Sequence, residues 1–199
     1  MKKKIVGLTG GIATGKSSVA NYLNQKYGIP VFDADVFARE AVVVNSPIYR
    51  QILKRYGSGI TLDNGQLNRT LLAEIIFNNP EEKKWLESQI HPFVYQRFLS
   101  LIPQLTHPLN VFVIPLLFEA KMTDLVSEIW VVACSFENQL KRLQQRDNLS
   151  EKQAISRINS QMPLEEKIKL AHIVIDNNGS PQQLFSQLDQ IMSREVNKN

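Results

Sequence analysis

The sequence predicts an α/β fold, a five-stranded parallel sheet flanked by helices, with a helical insertion and a helical lid. Three observations predict it. Five short apolar runs, at residues 4–8, 31–32, 111–114, 129–134 and 173–175, alternate with segments of helical periodicity. That is the rhythm of parallel strands joined by right-handed crossovers. Directly after the first run stands Gly10-Gly11-Ile12-Ala13-Thr14-Gly15-Lys16-Ser17, a full G-x-x-x-x-G-K-[ST] phosphate-binding loop in the strand–loop–helix context the motif requires. Over residues 45–109, finally, the rhythm stops and only helical and turn signals remain.

Each element has its own signal. The first strand is a continuous apolar run, as a parallel strand buried on both faces requires. In the helix after the loop Val19, Leu23 and Tyr27 share a face with Ala20 beside them; Gly28 supplies a C′ residue and Pro30 blocks continuation. The second strand, Val31-Phe32, ends at Asp33-Ala34-Asp35. A helix follows from about Val36, with Phe37, Ala41 and Val44 on one stripe, which makes Asp35 a suitable N-cap. In the insertion Ile48, Ile52 and Leu53 mark one helix, and Leu71, Leu72, Ile75 and Ile76 a second. Turns at Gly57-Ser58-Gly59 and Asp63-Asn64-Gly65 separate them. Pro80 opens a third helix carrying Trp85, Leu86, Ile90, Val94, Phe98 and Leu101. Pro92 falls inside it, removes a helical hydrogen bond, and should kink or break it beside His91.

The third strand closes at Pro115. The fourth leads into a helix with Leu140 and Leu143. Residues 148–171 are polar and helical, with a capping box at Ser150 and Gln153 and a further start at Pro163. After the last strand come Asp176-Asn177-Asn178-Gly179 and a second capping pattern, Ser180-Pro181-Gln182-Gln183. The final helix then buries Leu184, Leu188, Ile191 and Met192. The reading is one domain: a core of residues 1–44, 110–147 and 172–199, a helical acceptor-binding subdomain over 45–109, and a lid over 148–171.

Composition narrows the function class. A net charge of +4 and a pI of about 9.2 suit polyanionic ligands, while scattering of the basic residues argues against nucleic acid. Lys2-Lys3-Lys4 is too short to be a localisation or membrane signal and serves to solubilise the first strand. The single cysteine, Cys134, lies in an apolar run and reads as a small core residue, which excludes a disulfide framework or a Cys/His metal cluster. No apolar stretch approaches a membrane span, and the first residues lack the apolar region of a secretion signal. A soluble cytoplasmic protein is expected.

In open parallel sheets ligands gather at the carboxyl ends of the strands. The phosphate loop leaves the first of these ends, with backbone N–H groups to curl around a polyphosphate and a helix dipole aimed at it. Lys16 can reach outer phosphates, and the Ser17 hydroxyl can take a Mg²⁺ position. Asp33, at the next strand end, suits a general base toward an acceptor hydroxyl or Mg²⁺ support through water. Asp35 and Arg39 lie close by. The polar region carries Lys141, Arg142, Arg146, Arg157 and Lys167, cations of the kind a closing lid brings to a transferring phosphoryl group. Arg142 and Arg146 are four apart and share a helix face. A solvated charged helix pair would look the same.

These residues fall into an order. Leu8-Thr9-Gly10-Gly11-Ile12 leads into Gly15-Lys16-Ser17, then Asp33-Ala34-Asp35, Ala38-Arg39, Leu67-Asn68-Arg69 and His91-Pro92. Pro115-Leu116-Leu117-Phe118-Glu119, Arg146-Asp147, Arg157 with Gln161, and Ile175-Asp176-Asn177-Asn178-Gly179 complete it. The chain resembles the dephospho-coenzyme A kinase family nearly end to end. The resemblance implies a P-loop nucleotide kinase-like fold and transfer of the ATP γ-phosphoryl to the 3′-hydroxyl of dephospho-coenzyme A. It implies Mg²⁺ as cofactor, ATP and dephospho-coenzyme A as partners, no nucleic acid, no membrane, and a monomer without an obligate protein partner.

Carried over position by position, Asp33, Lys16 and Arg146 would be catalytic. Gly11, Ile12, Ala13, Thr14, Gly15, Lys16, Ser17 and Ser18, with Arg146 and Asn177, would bind ATP, and Ser17 the metal. Thr9, Asp33, Asp35, Arg39, His91 and Arg157 would serve the acceptor. Ala13-Thr14, Ser18 and His172 depart from the common pattern without removing a group the chemistry needs. Two other readings stay open: a nucleotide-dependent switch that binds a protein partner, and a nucleoside or nucleotide kinase with another acceptor.

Overall fold

In the computed structural model, which describes residues 3–196, β1 (Lys4–Gly10), β2 (Val31–Asp33), β3 (Leu109–Val113), β4 (Glu128–Ala133) and β5 (Ile173–Asp176) form one parallel sheet ordered β2-β3-β1-β4-β5. The chain leaves β1 toward one edge and returns through β3 to cross to the other. That reversal opens a crevice at the carboxyl end of β1, where open α/β sheets hold ligands. Of the lysine run, Lys2 lies outside the described residues, Lys3 is exposed, and Lys4 opens β1, with Glu128 and Glu195 as ionic partners.

The chain divides into two compact units, Met1–Asp33 with Leu105–Asn199, and Ala34–Gln104. In the first, α1 (Lys16–Tyr27) buries Val19, Ala20 and Leu23 against the sheet residues Val6, Leu8 and Trp130. The last helix, Pro181–Val196, adds Leu184, Leu188, Ile191 and Met192 to the same core. Gly28 ends α1 at φ 65°, the left-handed cap a glycine adopts without strain.

The second unit contains α2 (Ala34–Ala41), α3 (Pro47–Tyr56), α4 (Arg69–Asn78) and α5 (Pro80–Leu101). Its core is separate: Ala41, Ile48, Ile52, Ile60, Leu72 and Leu86. Sequence rhythm placed residues 34–44 with the sheet, but α2 packs on α5, with Phe37 edge-on to Phe98 at 4.9 Å and Arg97 paired to Glu40 at 3.1 Å. The helix also starts two residues earlier than expected for an Asp35 cap. Asp33 precedes its first residue, and Asp35 sits in the first turn, where a carboxylate complements the helix dipole.

Three local expectations meet their test here. The Ser150 capping box is formed in both directions, at the start of the helix Glu151–Asn159. Ser180 and Gln183 likewise exchange side chain-to-backbone bonds of 3.3 and 2.8 Å. Pro92 does not break its helix. α5 runs unbroken through it, because Leu86, Val94 and Phe98 are buried on either side and hold both halves to the unit. One missing hydrogen bond is outweighed by that burial, each such side chain being worth about 1.5–3 kcal/mol.

Pro92 is therefore a tolerated cost. Pro92→Ala should raise the stability of this unit by about 1–3 kcal/mol, read as a higher urea midpoint at unchanged slope. A lower midpoint would mean that the proline fits a bend the packing requires.

Candidate functional site

The loop between β1 and α1 is shaped by two glycines. Gly10 has φ 149°, and a Cβ there would strike the Val132 carbonyl oxygen; Gly15 has φ 101°, and a Cβ there would strike the Asn177 amide. Ala13 also adopts positive φ, 59°, which costs an L-residue about 1–2 kcal/mol. Ala13 thus holds a backbone conformation that glycine would adopt without strain.

The carbonyls of the loop are held by donors from the protein. Lys16 Nζ reaches the Gly11 and Gly10 oxygens at 2.7 and 3.3 Å, and the Thr14 hydroxyl also donates to Gly11 O at 3.0 Å. Gln139 Nε2 holds Ile12 O at 2.7 Å, and Asn177 Nδ2 holds Thr14 O at 2.8 Å. At the start of α1 no side chain caps the helix and its first turn contains no acidic residue, while Ser17 and Ser18 are exposed. The result is an N-terminus with its dipole uncompensated, which suits an anion.

Asp33 faces Val113 across the β2–β3 ladder, and Val113 faces Leu8 across the next. Its Cα therefore lies two strand spacings, about 10 Å, along the row from Leu8, just before the loop. Thr9 is fully buried, its hydroxyl donating to Pro115 O at 3.2 Å, so it reaches the site only through the chain after β3. Asn177 is buried too. Its N–H bonds Ala133 O, and its own carbonyl accepts from Arg142 at 2.9 Å.

In the helix α6 (Phe136–Asp147), Arg142 and Arg146 part company. Arg142 turns inward to Asn177 and leaves Nη1 buried without a hydrogen-bond partner among the described residues. Arg146 clasps Asp147 at 2.7 and 3.1 Å, and Arg157 from α7 (Glu151–Asn159) reaches the same carboxylate at 2.9 Å. The Arg146 guanidinium, hydrogen-bonded to it, holds the Asp147 carboxyl below its usual range, with Arg157 adding to the shift and partial burial opposing it.

Lys167 is a correction. Expected among the lid cations, it is fully buried in α8 (Leu164–Lys169), paired to Glu119 at 2.8 Å and donating to Pro115 O at 3.0 Å. A cation so enclosed cannot follow a phosphoryl group; it fastens the segment to the chain after β3. Cys134 is buried as expected, and burial pushes its thiol up, away from nucleophilic use.

The unit Ala34–Gln104 has a site of its own. α2, α4 and α5 enclose a cavity of about 270 Å³ with Leu72, Ile76 and Ile90 on its walls and Asp35, Arg39 and Arg69 as its charged groups. Asn68 caps α4 by accepting from Leu71 N–H at 3.1 Å, which sets Arg69 at the helix start. His91 follows the wall residue Ile90 on α5. Sequence reasoning passed over Gln139 and gave Arg69, Glu119 and Gln161 no role of their own. A glutamine in a polar helix carries no signal of its own, since a solvated face has the same composition.

Known proteins resemble this chain throughout. The family model described as dephospho-CoA kinase matches residues 4–183. A dephospho-CoA kinase of Trichormus variabilis is 53% identical over 196 residues, covering 98% of this chain and all of that one. Among solved structures, a Thermus thermophilus protein superposes with a TM-score of 0.79 at 34% identity, covering 98% of each chain. The dephospho-CoA kinase of Campylobacter jejuni does so with a TM-score of 0.72 at 29% identity, covering 99% of this chain and 98% of that one.

The Asp147 cluster has a pH signature. Because its folded pKa is depressed, its contribution is full above about pH 4 and fades as pH falls through the folded value. Comparison of wild type with Asp147→Asn should show a stability difference of up to about 1 kcal/mol at pH 7 that closes on acidification. A difference that persists to pH 2 would rule out the ion pairs as its source.

Proposed function

The chain belongs to the dephospho-CoA kinase family, and from that membership we propose how its residues carry out the family's reaction. It transfers the γ-phosphoryl of ATP to the 3′-hydroxyl of dephospho-coenzyme A, giving coenzyme A and ADP, the last step of coenzyme A biosynthesis. The observation that carries the mechanism is the loop at the β1 crevice, its carbonyls tied outward, with Asp33 ending a strand of the same sheet.

ATP lies with its phosphates against the loop Gly11 to Ser18 and the N-terminus of α1. Lys16 exchanges the Gly10 and Gly11 carbonyls for outer phosphate oxygens, a stronger partner for an ammonium. Asp33 accepts the proton of the acceptor hydroxyl as its oxygen attacks the γ-phosphorus; the bond to the β-phosphate oxygen breaks and ADP leaves. Arg146 and Arg157, held together by Asp147, bring positive charge to the transferring group. Asn177 supports the nucleotide by fixing Thr14 and pressing on Gly15.

The residues fit Mg²⁺ bound chiefly by the nucleotide. Among the described residues no group of three His, Cys, Asp or Glu could cage a metal, and Mg²⁺ in such sites rests on one or two protein ligands, phosphates and water. Exposed Ser17 would hold it, and the ion would neutralise charge on the phosphate oxygens.

The cavity of the Ala34–Gln104 unit takes the acceptor, its apolar walls against the aliphatic arm and Arg39 and Arg69 against phosphate, with Asp35 and His91 nearby. Thr9, in the sheet unit, contributes by holding Pro115 O. One chain supplies every group named, and both substrates are small soluble molecules, so the reading is of a cytoplasmic monomer.

Asp33→Asn should lower kcat about 10²–10⁴-fold with ATP affinity nearly unchanged, the pattern of a lost base. Collapse of ATP binding at unchanged single-turnover chemistry would make Asp33 a metal-support residue instead. Arg39→Ala and Arg69→Ala should each raise KM for dephospho-coenzyme A about tenfold, as expected for loss of a charge-assisted contact. Turnover with a nucleoside monophosphate in place of this acceptor would overturn the assignment.

A further inference from the structure

One residue of the phosphate loop, Ile12, is gripped through both of its backbone groups by glutamines, one on each of the two peptides that flank it. The Ile12 carbonyl accepts from Gln139 of α6 at 2.7 Å, and the Ile12 N–H donates to Gln161 Oε1 at 2.9 Å. Gln139 is nearly fully buried, and a Cβ on Gly11 would strike its amide, so this partner is fixed. Gln161 is different in kind. It follows α7 inside residues 148–171, the segment that also carries Arg157. Its hydrogen bond joins that segment directly to the loop.

The segment is anchored at the very next residue. Met162 N–H donates to Glu119 Oε1 at 3.0 Å, the oxygen that also meets the buried Lys167 at 2.8 Å. Lys167 in turn holds Pro115 O, which also accepts from Thr9, the residue before Gly10. Residues 161 and 162 thus lie between the arginine-bearing helix and two fixed points, one at the loop and one at its foundation. A shift of α7 that Gln161 follows acts on the Gly11–Ile12 peptide through this hydrogen bond.

We infer that Gln161 is a positioning residue for phosphoryl transfer, which sets the orientation of the Gly11–Ile12 peptide, and with it the loop amides around the phosphates, according to where the arginine-bearing segment sits. The loop then takes its reactive geometry only when that segment is seated. This explains why an N–H of an anion-binding loop is given to a neutral side chain. The bond does not serve affinity; it ties loop shape to lid position. The inference rests on the loop being the ATP site.

The test pairs Gln161→Ala, which removes the acceptor oxygen, with Gln161→Glu, which keeps one. Hydrogen exchange of the peptide spanning the loop is followed without nucleotide, and steady-state kinetics are run with ATP and dephospho-coenzyme A. Gln161→Ala should speed exchange in the loop and lower kcat about 10- to 100-fold, the cost of ångström-scale misplacement, with KM for ATP within about threefold of wild type. Gln161→Glu should restore slow exchange. Wild-type exchange in Gln161→Ala, or unchanged kcat with tighter ATP binding, would overturn the inference, the latter because Gln161 would then merely compete with phosphate. A wild-type enzyme that ignores dephospho-coenzyme A would sink the functional assignment alone, since the exchange comparison decides the coupling independently.

Discussion

A peptide can turn its N–H toward an anion only if its carbonyl, on the opposite side of the same plane, finds a donor elsewhere. The rest of the nucleotide half depends on that constraint. The amides of Gln139, on Ile12 O, and Asn177, on Thr14 O, meet it for the peptides whose N–H groups are those of Ala13 and Gly15, while Lys16 and Thr14 hold Gly11 O, whose peptide gives its N–H to Gln161. Both amides come from remote elements and have to be placed. Gln139 is placed by α6, whose first turn is capped by Ser135 accepting from Asn138 N–H. Asn177 is placed by β5 through its bond to Ala133 O, and its own carbonyl is satisfied by Arg142. The donor site is therefore a property of the sheet's whole carboxyl edge, although its motif is eight residues long.

The buried Lys167–Glu119 pair follows a different logic. Taking a lysine fully out of water against a half-buried carboxylate rarely contributes net stability, and here Glu119 Oε2 lacks a hydrogen-bond partner among the described residues, which adds to the cost. An apolar pair of similar volume would be at least as stable. What it could not do is hold Pro115 O and Met162 N–H at once. The pair exchanges stability for a fixed junction between α8 and the chain after β3, and a junction of that kind is what a hinge needs at its stationary end.

Much of the site was legible because its demands are local. Glycine at Gly10 and Gly15, the lysine at the helix start, and both serine–glutamine capping boxes are signals within a few residues of the structure they produce. Apolar runs sufficed for the strands, since a strand covered on both faces has few alternatives. The misreadings share the opposite property. Lys167 looked like a lid cation because nothing in a polar helix marks which lysine meets a carboxylate 48 positions away. Arg142 looked like a twin of Arg146 because i,i+4 spacing fixes the face but not the partner. Pro92 looked like a break because the local rule counts the missing hydrogen bond and cannot count the burial of Val94 and Phe98. Gln139 and Gln161 acquire meaning only when α6 and the chain after α7 come to lie beside Ile12.

That asymmetry follows the chemistry. Phosphoryl transfer needs little covalent work from the protein and much positioning, so its donor side reduces to backbone geometry, which a short motif can specify. On the proposed acceptor side recognition is by shape, the space left where α2, α4 and α5 meet, set by Leu72 and Ile76 of one helix and Ile90 of another. Each of those residues alone is an ordinary core position. Charge marks the cavity better than its walls do: Asp35, Arg39 and Arg69 set exposed ionic groups beside its apolar surface. The acceptor's polar groups, more than its aliphatic arm, should therefore decide which molecules this kinase accepts.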